Sequence, residues 1–199
     1  MPQIRKVYIA SPSFNPGEKW ENEMIDEVLK TAGYDTFLPQ RDGFLFIELV
    51  KQLQTQGSTA AEAEQIALNL IFHFDIYQVC EGCDATILNL NGRVPDEGAV
   101  SEGALCFRSE RPLIIYKNDS RCLNNGRDNP LIIGQTRWKI VHDMQQIPAE
   151  LKRLENRDIS SYSQTMRTAR KLFWGYDSKK RKLKNKELKQ LIRLGKQIF

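Results

Sequence analysis

Residues 95–104 read PDEGAVSEGA, and in this 199-residue chain they are the stretch whose residue types and spacing best suit chemistry. Asp96 stands just ahead of a helical pattern, where a short carboxylate accepts from free N–H groups and complements the positive end of the helix dipole. Gly98 lets a ligand approach the backbone closely. Glu102 follows one turn into the helix, with Gly103 beside it and Ala99 on the preceding turn. A solvated surface glutamate needs no small neighbours, whereas one that must touch a substrate carbon does, because bulk beside it blocks the approach. The same residues also fit a plain N-cap followed by a surface charge.

Other residues along the chain read as structural on their own. Asp75 reads as the cap of a short helix over 76–81; Tyr8 is a core aromatic whose hydroxyl reaches a rim. Phe14 reads as a loop anchor. Gln40 and Asp42 lie in a polar turn. Asn129 precedes Pro130 as turn residues do. His73 and His142 have no partners at metal-ligand spacing and read as packing residues. Cys80 and Cys83 form a CxxC without the second pair a zinc site needs, so the four cysteines read as reduced thiols. No glycine-rich phosphate loop of the Walker or dinucleotide type occurs, and neither metal nor cofactor is expected.

These residues are spaced along an alternating set of elements. Apolar runs at 6–10, 34–38, 84–90 and 112–116 predict strands, with a weaker fifth at 138–141. Between them lie helical patterns. Residues 17–32 bring Trp20, Met24, Ile25, Val28, Leu29 and Ala32 to one face. A long helix carries Ala63, Ala67, Leu70, Phe74 and Tyr77 as its buried stripe, and 98–108 turns Val100, Ala104 and Phe107 inward. The βαβα rhythm predicts a flavodoxin-like or Rossmann-like α/β fold, a doubly wound parallel five-stranded sheet with helices on both faces. Residues 1–147 are expected to form this domain, and 148–199 a helical, lysine-rich extension. Ligands of such sheets bind beyond the carboxyl ends of the strands, which selects the loops at 11–15, 40–46, 91–98 and 117–129.

Several pieces, in order, resemble the nucleoside 2-deoxyribosyltransferase family: VYIASPSFN (7–15), FLPQRDGF (37–44), Asp75 with CDATILNL (83–90), PDEGAVSEGA (95–104) and DNPL (128–131). The similarity spans roughly residues 4–145. Ala99 replaces a frequent threonine of the signature, and the first loop is poorer in glycine than in many members. The resemblance implies that Glu102 is the nucleophile that attacks C1′ of a 2′-deoxynucleoside, giving a covalent deoxyribosyl-glutamate that a second base resolves. It implies Asp75 as acid/base, Tyr8 as the residue orienting Glu102, Asp96 as the holder of sugar hydroxyls, and Phe14 as a cover. Gln40 and Asp42 become candidates for reading the base, and Asn129 for reaching into a neighbouring subunit of a homo-oligomer. The implied enzyme is a retaining, metal-independent N-glycosyl transferase in nucleotide salvage. A superfamily alternative is an N-glycoside hydrolase of deoxynucleosides or their 5′-monophosphates. A second alternative is a non-catalytic nucleotide-sensing module.

Composition limits the partners. The 41% hydrophobic fraction supports a folded core. No run reaches the roughly 20 apolar residues of a membrane span, and no hydrophobic signal follows Arg5 and Lys6, so a soluble cytoplasmic protein is expected. Nine of the basic residues fall between Lys179 and Lys196 with one acid among them, and the remainder of the +4 chain is about −4. The body is therefore not a nucleic-acid binder; only the tail offers such a surface. Its rough apolar stripe (Leu183, Leu188, Leu191, Ile192 and Ile198) reads first as a docking helix.

Overall fold

The computed structural model describes residues 3–92, 94–121, 128–155, 161–173, 189 and 192–193. Contacts divide the chain into two units, 1–160 and 161–199.

The first unit is built on four parallel strands, β1 (Lys6–Ala10), β2 (Asp35–Phe37), β3 (Ala85–Asn89) and β4 (Leu113–Tyr116), in the order β2-β1-β3-β4. Tyr8 pairs with Phe37 on one side and Thr86 on the other. Parallel strands covered on both faces need near-continuous apolar runs, and KVYIA, ATILN and LIIY supply them. On one face Val7, Ile9, Ile87 and Tyr116 pack with Ile25 and Leu29 of helix α1 (Pro16–Thr31) and with Ile147 and Leu151 of a later helix. On the other face Tyr8, Phe37, Leu88 and Ile115 pack with Val79, Ala99 and Cys106.

Local signals set the boundaries of α1. Asn15 accepts from the Glu18 N–H at 3.0 Å while the Glu18 carboxylate accepts from the Asn15 N–H at 3.2 Å, a capping box ahead of Pro16. Gly33, at φ +89°, turns the chain out of the helix. The polar turn after β2 is a single helical turn, α2 (Pro39–Asp42). Beyond it a helical hairpin forms from α3 (Phe46–Thr55) and α4 (Ala60–Tyr77), the latter opened by a second capping box between Thr59 and Glu62. The stripe expected on α4 is only partly covered: Ala63 and Ala67 are buried, whereas Leu70 and Tyr77 are exposed. A π-helical turn (Gln78–Gly82) carries the chain into β3.

Helix α5 (Glu97–Arg108) follows β3, and α6 (Pro130–Ile133) follows β4. The buried stripe of α5 is Ala99, Gly103 and Cys106, one residue out of phase with the expected Val100, Ala104 and Phe107. The reason is close packing: a Cβ on Gly103 would lie 2.8 Å from Leu88 Cδ2, so the face made of small side chains is the one pressed to the sheet.

Among the described residues the sheet has four strands, and the expected fifth reduces to an isolated bridge. Val141 N–H donates to Ile115 O at 2.8 Å and Val141 O accepts from Lys117 N–H at 2.9 Å, but Arg137 and Trp138 have φ of 53° and 66°. Left-handed residues cannot extend a strand. Helix α7 (Ile147–Glu155) brings Ile147, Leu151 and Leu154 into the core of this unit. In the second unit, Ser161 caps α8 (Tyr162–Phe173), which has no buried residue. The expected lysine-rich terminal helix falls outside the described residues except for Lys189, Ile192 and Arg193, which are helical and exposed. Among the described residues no helix is long and apolar enough to cross a membrane.

Candidate active site

Tyr8 and Glu102 meet across the α5 face of the sheet. The Tyr8 hydroxyl donates to Glu102 Oε1 at 2.5 Å. Tyr8 has no exposed surface, and its ring stacks on Phe37 with centroids 5.3 Å apart. The Gly103–Leu88 contact holds α5 close enough to β3 for a glutamate one turn into the helix to reach the central strand.

Burial dominates the electrostatics. It pushes Glu102 up to about 8; the Tyr8 hydrogen bond works against this by stabilising the carboxylate, and the negative charges of Asp75 and Asp96 add to the rise. Tyr8 is itself raised well above its ordinary value by burial and by the adjacent Glu102. Asp75, half-buried, is raised by burial. It sits inside α4, not at the start of a helix, so capping does not account for its position. Two carboxyl groups of the site thus have raised affinity for a proton, and one of them is tied to a phenol.

Asp96 is the N-cap of α5, its Oδ1 accepting from the Ala99 N–H at 2.7 Å. Gly98 is exposed in the first turn, 3.2 Å of space separating a would-be Cβ from Asp96 Oδ1. Thus Tyr8, Glu102, Asp75 and Asp96 are brought together. The remaining expected residues have hydrogen bonds directed elsewhere. Gln40 Oε1 accepts from Asn22 Nδ2 at 3.0 Å and its Nε2 donates to Lys19 O at 3.1 Å, which ties α2 to α1. Asp42 accepts from the Leu38 N–H at 2.8 Å and pairs with Arg41, whose other amino group meets the buried Asp26 at 2.7 Å. Phe14 is 82% exposed. Asn129 is exposed, its Oδ1 accepting from the Leu131 N–H at 2.9 Å as the cap of α6.

Two groups went unremarked in the sequence. Phe37, Phe74 and Phe44 continue from Tyr8 as a chain of ring contacts (centroids 5.5 and 5.0 Å apart), ending at a half-exposed Phe44 next to the helix that bears Asp75. The FLPQRDGF segment contains two of them. Lys117 is buried at the end of β4 and bonds Asp128 and Arg121 O, anchoring the chain just ahead of Asn129. A lysine after LIIY gives no sign of that burial.

His73 and His142 each meet a backbone carbonyl, of Asn69 and Lys117, at 2.7 Å. Cys80, Cys83 and Cys106 are free thiols, and Cys122 lies outside the described residues. Among the described residues no group of three or more His, Cys, Asp or Glu side chains is arranged to hold a metal ion.

Fold and site together define a doubly wound parallel α/β protein with a half-buried, phenol-bonded glutamate beside the central strands. The chain belongs to the nucleoside 2-deoxyribosyltransferase family, whose sequence model matches residues 7–186. That match runs past residue 145, where the resemblance of the individual motifs ends, and takes in α7 and α8. Family membership indicates an activity of nucleoside 2-deoxyribosyltransferase type. Solved structures with the same fold include a conserved protein from Enterococcus faecalis V583, 17% identical, with a TM-score of 0.55 over 76% of this chain and 99% of that one. Weaker similarity reaches a 2-deoxyribosyltransferase from Bacillus psychrosaccharolyticus (19% identity, TM-score 0.45, 79% and 98% covered). A 2-desoxiribosyltransferase from Leishmania mexicana gives 16% identity and a TM-score of 0.47, with 74% and 97% covered. Among curated proteins none matches the chain.

Proposed function

We propose that the protein exchanges the base of 2′-deoxynucleosides through a covalent intermediate on Glu102. The observation that carries this reading is the 2.5 Å bond from Tyr8 to a half-buried Glu102 in the electrostatic field of Asp75. The productive state has its proton on Asp75 and none on Glu102; the phenol favours it by donating to the Glu102 carboxylate. Glu102 attacks C1′, the C1′–N bond breaks with its electron pair passing to the base, and Asp75 delivers a proton to that base. A ring nitrogen of the second base then attacks C1′, the ester electrons return to Glu102, and Asp75 takes up the proton. The 2′-deoxy sugar lacks an electron-withdrawing hydroxyl, so its oxocarbenium-like transition state needs only one well-placed carboxylate. In this reading Asp96 holds sugar hydroxyls, Gly98 admits the sugar, and Phe14 covers the ligand. Gln40 and Asp42, engaged in fixing α2, bear on the base through the position of that turn.

Assembly belongs to the same proposal. Leu68 and Phe72, 54% and 61% exposed, lie one turn apart on α4, a helix apolar on nearly every side, and such a helix is normally covered. A second copy of the chain is the proposed cover, with Asn129 completing the partner's site. The test is incubation with deoxyinosine, with and without free adenine, followed by chromatography. Deoxyadenosine formation that Glu102→Gln abolishes supports the reading, together with a sugar adduct on the wild-type protein when no acceptor is present. Release of free base alone would replace it with hydrolysis, and unchanged substrate would remove it.

A further inference from the structure

Three asparagines are buried at the carboxyl ends of the strands: Asn22 on α1, Asn89 at the end of β3 and Asn91 just beyond it. Asparagine is mostly a surface residue, and burying its amide is unfavourable unless its donors and acceptors are met. Here they are met by groups from α1 and from all four of the loops at this edge of the sheet. Asn22 Nδ2 donates to Pro12 O at 2.7 Å in the first loop and to Gln40 Oε1 at 3.0 Å in α2. Asn89 Oδ1 accepts from the Asn91 N–H at 2.9 Å, which fixes the start of the loop leading to Asp96. Asn91 Oδ1 accepts from the N–H groups of Asn118 and Asp119, at 3.0 and 3.1 Å, where the chain sets out toward Asn129. Glu21, half-buried beside Asn22, closes the set: its two oxygens accept from Asn89 Nδ2 at 3.0 Å and from Asn91 Nδ2 at 2.7 Å. Asn89 Nδ2 also lies 3.5 Å from Asn22 Oδ1, so the two halves of the set meet at one residue.

The bonds to α1 place this set on the face of the sheet opposite Tyr8 and Glu102, and the asparagines act through the loops they hold. A short amide offers two donors and two acceptors on one plane, so three of them can join segments that the strand ladder leaves unpaired. Packing of α1 on the sheet needs no such connection. A site does, because misplacement by about 1 Å can cost on the order of 100-fold in rate.

We infer that Asn22, Asn89 and Asn91 form one positioning network for base exchange. Asn22 sets the first loop against α2, the two segments that bear on the base. Asn91 sets the Asp96 loop, which bears on the sugar, against the loop of Asn129. What the loops do rests on the base-exchange reading above, whereas their coupling is a property of the network itself.

A donor–acceptor swap tests it. Asn91→Asp keeps the acceptor for the Asn118 and Asp119 N–H groups but replaces a 2.7 Å amide–carboxylate bond with two facing carboxylates. Adding Glu21→Gln restores one amide and one carboxylate with the donor reversed. The new amide oxygen then accepts from Asn89 Nδ2, and its nitrogen donates to position 91. Exchange between deoxyinosine and adenine is measured below the melting temperature of every variant, with hydrogen–deuterium exchange of the ligand-free full chain alongside. Asn91→Asp is expected to lower kcat tenfold or more, and Glu21→Gln/Asn91→Asp to recover it to within threefold of wild type. Asn22→Leu, which removes both donors, is expected to raise KM for adenine tenfold or more with kcat within threefold. Amide exchange should quicken at 11–15 and 40–43 in Asn22→Leu, and at 94–98 and 117–121 in Asn91→Asp, with the double variant back at the wild-type rate. If Asn22→Leu does not fold, the swap decides alone. A loss that the double variant fails to restore, the same split between kcat and KM at both ends, or loop amides that do not respond would each overturn the network. A wild type that exchanges no base while its loops respond as described would remove the reading of Glu102 and leave the coupling of the loops in place.

Discussion

Replacing Tyr8 with phenylalanine removes one oxygen and keeps the ring that stacks 5.3 Å from Phe37, so the change isolates the hydrogen bond to Glu102. A hydrogen bond to a charged acceptor contributes about 1.5–3 kcal/mol, and about 1.36 kcal/mol is one pKa unit. Tyr8→Phe should therefore raise Glu102 from about 8 by a further one to two units, roughly. The sign of the activity change follows from the state that reacts, which has Glu102 ionised and Asp75 protonated. At about pH 7 the fraction in that state falls about 10- to 100-fold, and kcat/KM falls with it. Well above both pKa values the population of this state depends only on the proton affinity of Asp75, so the two proteins converge, to within about fourfold at about pH 9.5. The assay is kcat/KM for base exchange against pH for both proteins. A loss of equal size at every pH, or no loss near neutrality, would refute the role given to Tyr8.

Glu102 binds its proton more tightly in the folded chain, at about 8, than at its ordinary 4.5. The stability it contributes is complete below the lower value and lost as pH rises through the upper, so the melting temperature of Glu102→Gln should gain on wild type from about pH 5 to about pH 8.5. A constant gap would show that folding does not raise the proton affinity of Glu102. Gly103→Ala places a methyl 2.8 Å from Leu88 Cδ2. Overpacking of about 1–3 kcal/mol, offset by about 1 kcal/mol of helix propensity, should cost little in urea denaturation but displace Glu102 and reduce exchange; full activity would contradict the packing argument. Phe72→Asp should convert the proposed oligomer to monomer in sedimentation, and an unchanged sedimentation coefficient would move the interface elsewhere.

The strands were legible because a parallel sheet covered on both faces demands unbroken apolar runs, and β1, β3 and β4 have them. The failure at 138–141 has a backbone cause. Two successive left-handed residues, Arg137 and Trp138, leave only Val141 to pair, and neither residue is of the type that signals φ > 0. The α3–α4 hairpin defeats a one-face reading because its apolar residues surround the helix axis, so no periodic stripe separates Ala67, which is buried, from Leu68, which is not. Gln40 and Asp42 illustrate a different limit. Their types suit a base edge, yet Asn22 and the Leu38 N–H already engage them, and such partners are visible only once α1 lies beside α2.

The small residues of PDEGAVSEGA look, in sequence, like room left for a ligand. In the fold Ala99 and Gly103 are buried against the sheet, and Gly103 is the point at which α5 touches Leu88. That contact brings Glu102 to the central strand and half-buries it, and the same burial raises its proton affinity and leaves Tyr8 to oppose the rise. A bulkier residue at 103 would lift the helix, rehydrate the carboxylate and lengthen the bond to Tyr8 together. The spacing of the signature is thus set by helix–strand packing, and the reactivity of the glutamate is a consequence of that packing.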